Sequence, residues 1–260
     1  MSQSLAELYR YRELLWMWTL REIKVRYKQS VLGGLWAVLQ PLSLMLIFTA
    51  IFGYIVKVPT DGIPYPIFSF ATLVPWTLFT TSVTFAVPSL LNNMNLVTKV
   101  YCPREIFPIS SLGAALFDYI IALVLLLVLI PVYGWSLHAT FLLLPLLLAV
   151  QIMLTLGMAL LGSALTVLYR DVRFVVPLGL QLWMYATPIV YPLSLVPERF
   201  RAIYMLNPMA SLMDGYRRIT LLGQSPDWGY LGISAVVSLL VLVVGYAYFK
   251  HAEATFADII

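Results

Sequence analysis

The chain has 260 residues, of which 61% are hydrophobic and only 11% are charged, with a formal net charge of +4. Soluble domains carry about 25% charged residues, so this composition excludes a soluble protein and predicts an all-α polytopic membrane protein, treated as one domain over 1–260. One cysteine, Cys102, excludes an internal disulfide. The basic residues flank apolar runs and form no separate domain, which argues against a nucleic-acid partner.

Segment 1–29 is predicted to form an amphipathic helix at the membrane interface. One face carries apolar side chains at helical spacing, namely Leu8, Tyr11, Leu15 and Trp18. Most basic side chains of the segment fall on another face, as expected for a helix lying against lipid headgroups. Glu22 and Arg26 are spaced to pair at i, i+4. The pattern leaves two interpretations open, a plain membrane-surface anchor and a docking surface for a cytosolic partner.

Apolar runs predict six transmembrane helices, because about 20 residues suffice to cross the hydrocarbon core. They lie at 30–57, 67–92, 109–132, 140–168, 174–191 and 228–249. The second span is expected to bend near Pro75 and Pro88. Small residues from Gly157 onward in the fourth span favour close helix packing. Six spans place both termini on one side, and most of the 16 lysines and arginines lie there, which predicts cytoplasmic termini.

The segment between spans five and six is too mixed in polarity for a simple loop. We expect two short amphipathic helices within 193–222, broken at Asn207–Pro208. They either dip into the membrane from the outer side and return, or lie flat on its surface.

Catalytic motifs are missing from the sequence. It contains no H-E-x-x-H, no Walker G-x-x-x-x-G-K-[ST] and no G-x-S-x-G. His138 and His251 flank opposite membrane faces, so no metal site is expected. Asp118 is the one formal charge well inside a predicted span, and the sequence leaves open whether it is functional or joins helices by hydrogen bonds. A membrane chain without an energy source of its own suggests a permease driven by a separate subunit.

Four blocks of sequence resemble the transmembrane subunits of ABC-2 type polysaccharide exporters, which include O-antigen, teichoic-acid and capsule permeases. They are TLREIKVRYKQSVLGGLWAVLQPL (19–42), KVYCPREIFP (99–108), LYRDVRFVVPLGLQLWMYATPIVYP (168–192) and NPMASLMDGYRRITLLG (207–223). The blocks follow the family order over essentially the whole chain. Cys102 stands where the family often has an aromatic residue.

The resemblance implies a homodimer of six-span subunits with two cytosolic ABC ATPase subunits, which bind ATP and Mg; this chain would hold no cofactor. Segment 96–108 matches the coupling helix that contacts the ATPase, through Lys99, Tyr101, Pro103, Arg104 and Glu105. Segment 1–29 matches the interface helix, with Glu22, Arg26 and Tyr27. Segment 193–222 matches the outer gate helices, with Asn207, Pro208, Tyr216 and Arg217.

The cargo implied by the resemblance is an O-antigen-like glycan on a polyprenyl pyrophosphate, exported across a bacterial inner membrane. Sugar rings bind weakly to aromatic faces, so Trp36, Phe48, Trp183, Tyr185 and Tyr191 are candidate channel residues, with packing or an interfacial belt as the alternative for each. Arg26, Lys28 and Arg170 are positioned to attract the pyrophosphate at the cytoplasmic entrance.

Two other functions are weighed against polysaccharide export. One is an ABC-2 exporter of a drug or lipid. The other is a polytopic membrane enzyme acting on polyprenyl-linked sugars, which would need an acid/base pair. Asp118 and Asp171 are the candidates for that pair, and they lie at different depths.

Overall fold

The computed structural model describes residues 7, 9–28, 33–60, 62–94 and 102–259, with side chains up to 253. The elements in this part of the chain are helical, as predicted. Ten α-helices are numbered here in chain order: α1 Arg12–Tyr27, α2 Trp36–Phe48, α3 Tyr65–Ala86, α4 Ser89–Asn92, α5 Ile106–Val132, α6 Leu144–Leu168, α7 Val172–Tyr185, α8 Glu198–Tyr204, α9 Pro208–Arg217 and α10 Trp228–Ile259. Short 3-10 turns span Gly33–Leu35, Ala139–Leu143 and Leu193–Leu195, and π-turns extend α2 over Thr49–Ile55 and α9 over Arg218–Leu222.

Five helical stretches among the described residues are long and apolar enough to cross a membrane. They are Trp36–Ile55, Tyr65–Ala86, Ile106–Val132, Ala139–Leu168 and Trp228–Glu253. Their outward faces are apolar, for example at Val124 and Val128 of α5 and at Leu239 and Leu240 of α10. An outer surface of this kind suits lipid, which confirms the predicted multi-pass, all-helical class.

The predicted fifth span differs from the structure. Helix α7 ends at Tyr185 and has 14 residues, a length of about 21 Å, whereas the hydrocarbon core is about 30 Å thick. Residues 186–191, which complete the predicted span 174–191, are not helical. Pro188 has no backbone N–H and disfavours a helical conformation for the residue before it, so the helix stops ahead of it.

Other boundaries also move. Helix α3 continues past Pro75 and stops at Ala86, so the predicted second span 67–92 is two helices separated at Pro88. Helix α5 begins at Ile106, so residues 106–108 of the predicted coupling segment 96–108 belong to this helix. Within 193–222 the structure places a 3-10 turn, α8 and α9, and the predicted break at Asn207 is confirmed.

The chain has two distinct faces. At one face, named the α1 face, Trp18 packs edge-on to Phe107 at 5.2 Å between ring centroids, beside Phe249 near the end of α10. At the opposite face, the indole N–H of Trp135 donates to the carbonyl of Leu221 at 2.7 Å. Because α6 ends at the α1 face and α10 begins at the opposite face, the chain between them passes from one face to the other.

Helices α6 and α10 form the most extensive helix–helix contact. They meet at two glycines: a Cβ on Gly157 would lie 2.6 Å from the backbone nitrogen of Leu242, and a Cβ on Gly245 would collide with the backbone of Gly157. The predicted close packing of the fourth span is thus present, and its partner is the last helix.

Candidate functional site

A cavity of about 300 Å³ lies where α1, α2, α3 and α5 meet; we name it the junction cavity. Its walls combine aromatic faces with hydroxyl, amide and charged groups, contributed by Arg26, Tyr27, Trp36, Gln40, Thr77, Thr81, Phe85, Asp118 and Tyr119. This mixture offers hydrogen bonds in varied directions beside flat apolar surfaces, which is the chemistry that a sugar ring needs.

Asp118 is the centre of this site. Its carboxylate accepts hydrogen bonds from Arg26 Nη1 and from the hydroxyl of Tyr27. The side chains of Arg26 and Asp118 are each 17% exposed, and the Arg26 guanidinium lies 4.4 Å from the centroid of the Phe85 ring. Burial is the larger cause of a raised pKa at Tyr27, and the hydrogen bond to Asp118 raises that pKa further. The Tyr27 hydroxyl therefore stays a donor at neutral pH. Asp118 therefore binds α1 to α5.

The predicted pair between Glu22 and Arg26 is wrong. Instead, Oε1 of Glu22 lies 3.6 Å from Nη1 of Arg21. An exposed i, i+4 pair is worth about 0.5 kcal/mol, whereas a charge pair removed from water interacts more strongly, so Asp118 is the better partner for Arg26.

The predicted entrance cations are spread over the α1 side of the chain. Arg26 lines the junction cavity, Lys28 lies on an exposed groove beside α1, and Arg170 is exposed just before α7. The exposed face of α1 also carries Trp16, Met17 and Val25, so apolar residues occupy both sides of that helix. Leu8, part of the predicted apolar stripe, lies outside the described residues.

The predicted channel aromatics have different environments. Trp36 is half exposed and lines the junction cavity, and Tyr185 is exposed on α7. Phe48 is buried against Phe52, with ring centroids 5.9 Å apart. The hydroxyls of Tyr191 and Tyr204 lie 2.7 Å apart. Trp36 and Tyr185 are thus the most exposed of the five, Trp183 and Tyr191 are partly buried, and Phe48 is buried.

The described part of the predicted coupling segment faces inward. Pro103 and Glu105 are buried, and the Glu105 carboxylate forms an ion pair with Lys250 of α10. Lys250 also donates to Glu253 at 2.9 Å, and Arg104 donates to the backbone carbonyl of Glu253. Lys99 and Tyr101 lie outside the described residues. The contact with α10 was not predicted, although a Lys–Glu pair at i, i+3 closing the last apolar run was a visible signal.

Cys102 is the first described residue of the predicted coupling segment. It is partly buried, and burial raises the pKa of its thiol, while the nearby Arg104 guanidinium lowers it to a smaller extent. A raised pKa keeps the sulfur protonated and unreactive at neutral pH. No group of three or more His, Cys, Asp or Glu side chains that could hold a metal ion occurs in the described ranges.

The predicted outer gate residues enclose the non-helical segment after α7. Arg217 is buried, and its Nη2 donates to the carbonyls of Pro188 and Ile189 at 2.9 and 3.2 Å. Tyr65 donates to the carbonyl of Val190 at 2.8 Å, and Thr72 to that of Ile189 at 3.0 Å. Buried carbonyls outside a helix need donors, so these side chains stabilise the break.

Asn207 caps α9 and holds the end of α7. Its Oδ1 accepts from the backbone nitrogen of Met209 at 3.1 Å and from the indole N–H of Trp183 at 2.9 Å. Pro208 occupies the first turn of α9, where its missing N–H costs nothing. Tyr216, also on α9, is fully buried. The four predicted gate residues thus lie on or next to one short, buried helix.

The family model described as "ABC-2 type transporter" matches residues 13–221. The chain therefore belongs to the ABC-2 type transporter family, as predicted, and is a transporter subunit that works with an ABC ATPase. Family membership also answers the question of catalysis: the chain is not an enzyme, and the membrane-enzyme hypothesis is wrong.

Named relatives match the chain over nearly its full length. It is 35% identical over 255 residues to the O-antigen export system permease protein RfbA of Myxococcus xanthus, covering 97% of both chains. It is 30% identical over 249 residues to the protein of the same name from Klebsiella pneumoniae, covering 95% of both. The polysialic acid transport protein KpsM of Escherichia coli is 27% identical over 239 residues, which is 90% of this chain and 91% of that protein.

Proposed function

We propose that this chain is the membrane-spanning subunit of an ATP-driven exporter that moves a lipid-linked polysaccharide, an O-antigen-like glycan on a polyprenyl pyrophosphate, across a bacterial inner membrane. The observation that carries the proposal is the end-to-end similarity to permeases named for O-antigen export. Similarity to polysialic acid transport proteins favours a glycan cargo over a drug or a simple lipid.

The proposed assembly is a homodimer with two cytosolic ATPase subunits, and these subunits bind ATP and Mg. The α1 face is proposed to be cytoplasmic, with both termini on that side. Helix α7 and residues 186–192 are proposed to form one further crossing, the fifth in chain order, which brings the total to six. The passage of the chain between the two faces supports this assignment, as do the buried side chains that donate to the carbonyls of Pro188, Ile189 and Val190. Residues 193–222 form the outer gate.

The junction cavity is proposed to receive the first part of the cargo. Arg26 offers a guanidinium fork for the pyrophosphate, and the exposed Lys28 and Arg170 offer positive charge nearer the surface. Trp36 offers an exposed ring face for a sugar, and Tyr185 offers another on α7. Binding at such a surface is weak and repeatable, which suits a polymer that must keep moving.

Coupling to the ATPase is proposed to run through segment 96–108. Glu105 and Arg104 are attached to α10, so a push on the segment is passed to the last helix through Lys250 and Glu253. Lys99 and Tyr101 are proposed to make the direct contact.

The test is reconstitution of the chain with its ATPase in proteoliposomes, with lipid-linked glycan as cargo and transfer of glycan across the bilayer as the readout. Glu105→Lys and Lys250→Glu each place like charges together and are expected to reduce glycan transferred per ATP hydrolysed at least tenfold. The double variant restores the pair and is expected to recover most of that loss.

Two outcomes would contradict these assignments in different ways. Full export by both single variants would show that the Glu105–Lys250 pair plays no part in coupling. Hydrolysis stimulated by a drug or simple lipid, with no glycan transferred by the unaltered protein, would instead favour the drug or lipid exporter.

A further inference from the structure

A second pocket, of about 230 Å³, opens on the face opposite α1. It lies between the turn before α3, the turn after residue 191 and the end of α9. Arginines outnumber acidic side chains among its described lining residues. Its charged and amide or hydroxyl groups include Arg201, Arg217, Arg218, Asp214, Ser194 and Gln224.

The arginines of this pocket differ in their hydrogen-bond partners. Arg218 Nε donates to Asp214 at 2.7 Å, so the carboxylate is engaged within α9 and its extension. Arg217 donates to the carbonyls of Pro188 and Ile189, as described above. The buried Nε of Arg201 has no hydrogen-bond partner within the described part of the chain. A buried guanidinium N–H without an acceptor is unfavourable, and an anion in the pocket would supply the acceptor.

Exposed apolar side chains lie next to this positively charged pocket along the chain, and one of them lines it. Phe200 and Ile203 of α8 are exposed, as are Leu195 before α8 and Leu222 at the pocket wall. Large exposed apolar side chains beside a guanidinium cluster at a membrane face are suited to a ligand with a charged head and an apolar chain. A small soluble anion would make no use of them.

We propose that this pocket binds the phosphate of a membrane lipid. Arg201 and Arg218 donate to the phosphate oxygens, because guanidinium forks match phosphate geometry. Phe200 and Ile203 contact the apolar chain. Two classes of membrane lipid combine a phosphate with an apolar chain, namely phospholipids and prenyl pyrophosphates. Binding at this site does not depend on export activity.

The test measures lipid binding to the purified full chain in detergent by native mass spectrometry, without ATPase or ATP. Dioleoylphosphatidylglycerol is compared with dioleoylglycerol, and geranylgeranyl pyrophosphate with geranylgeraniol, so that each pair differs in its headgroup. Inorganic phosphate is the soluble control. We expect at least one phosphate-bearing lipid to bind about tenfold or more tightly than its phosphate-free partner. The pair that responds identifies the phospholipid or the prenyl pyrophosphate as the source.

Three variants locate the site. Arg201→Gln is expected to weaken binding about tenfold, and Arg201→Lys to weaken it less, since the charge remains and the fork is lost. Asp214→Asn removes the one acidic group of the described lining and is expected to tighten binding, which a misfolded protein would not do. Arg173→Gln, at an exposed position near the α1 face, is the matched control and is expected to bind as the unaltered chain does.

The proposal is overturned by any of four results. The first is equal binding of the paired lipids, and the second is binding of inorganic phosphate as tight as that of the lipids. The third is unaltered affinity in both Arg201→Gln and Asp214→Asn, and the fourth is a loss of affinity in Arg173→Gln equal to that in Arg201→Gln.

Discussion

Asp118 shows how a single carboxylate can be retained inside an apolar helix. Arg26 supplies a full opposite charge, and Tyr27 supplies a second donor. Each of these partners comes from α1, about 90 residues earlier in the chain. Asp118 and Arg26 stand out in the sequence, but spacing along the helix predicted Glu22 as the partner of Arg26. Spacing within one helix can be read from a sequence, whereas contacts between distant segments cannot.

Asp118→Asn is expected to destabilise the protein by about 2 kcal/mol, because it leaves Arg26 charged and partly buried without a carboxylate. Tyr27→Phe removes one hydrogen bond and is expected to cost about 1 kcal/mol. Thermal unfolding in detergent measures both. Glu13→Gln, at an exposed position of α1, is the control, and equal effects of Glu13→Gln and Asp118→Asn would contradict the assignment.

Cys102 gives a second prediction at this scale. It is the one cysteine of the sequence, and burial raises the pKa of its thiol. Because the thiolate is the reactive form, we expect alkylation by iodoacetamide at pH 7 to be at least about fivefold slower than for free cysteine, and to accelerate as pH rises toward the raised pKa. A rate equal to that of free cysteine at pH 7 would show that the thiol is not shielded.

At the scale of elements, hydropathy alone located the long spans well. The fourth was predicted at 140–168 and is found at Ala139–Leu168, because its apolar run is uninterrupted. The fifth span was not located correctly, because its second half is a non-helical segment. The carbonyls of that segment accept hydrogen bonds from Arg217, Tyr65 and Thr72. Residue patterns within a span cannot reveal donors that lie on α3 and α9.

The glycine contact between α6 and α10 can be tested directly. Gly157→Ala places a Cβ against the backbone of α10 and is expected to destabilise by about 1–3 kcal/mol, since backbone cannot move aside as a flexible side chain can. Gly179→Ala on α7 is the control, because a Cβ there meets nothing within 4 Å and removes a flexible residue from a helix. The two are compared by thermal unfolding; equal midpoints would mean that the helices are not in close contact at Gly157.

For the whole molecule, the distribution of positive charge predicts which face is cytoplasmic. In a Cys102→Ala background, Glu198→Cys on the exposed start of α8 is expected to react with a membrane-impermeant maleimide on spheroplasts. Lys28→Cys, exposed on the α1 face, is expected to react once the membrane is opened. The reverse labelling pattern would invert the topology and with it the proposed side of the ATPase.

The contact between α6 and α10 also has a consequence for biosynthesis. The two glycines that meet are separated by most of the second half of the sequence, so the groove on α6 is open until the last helix leaves the ribosome. A nascent chain interrupted before residue 228 would carry this unfilled groove in the bilayer, where another small-residue helix, or a membrane protease that selects unassembled helices, could engage it. Insertion of α10 thus closes the fold, and premature termination before codon 228 is expected to yield a degraded product rather than a partly working one.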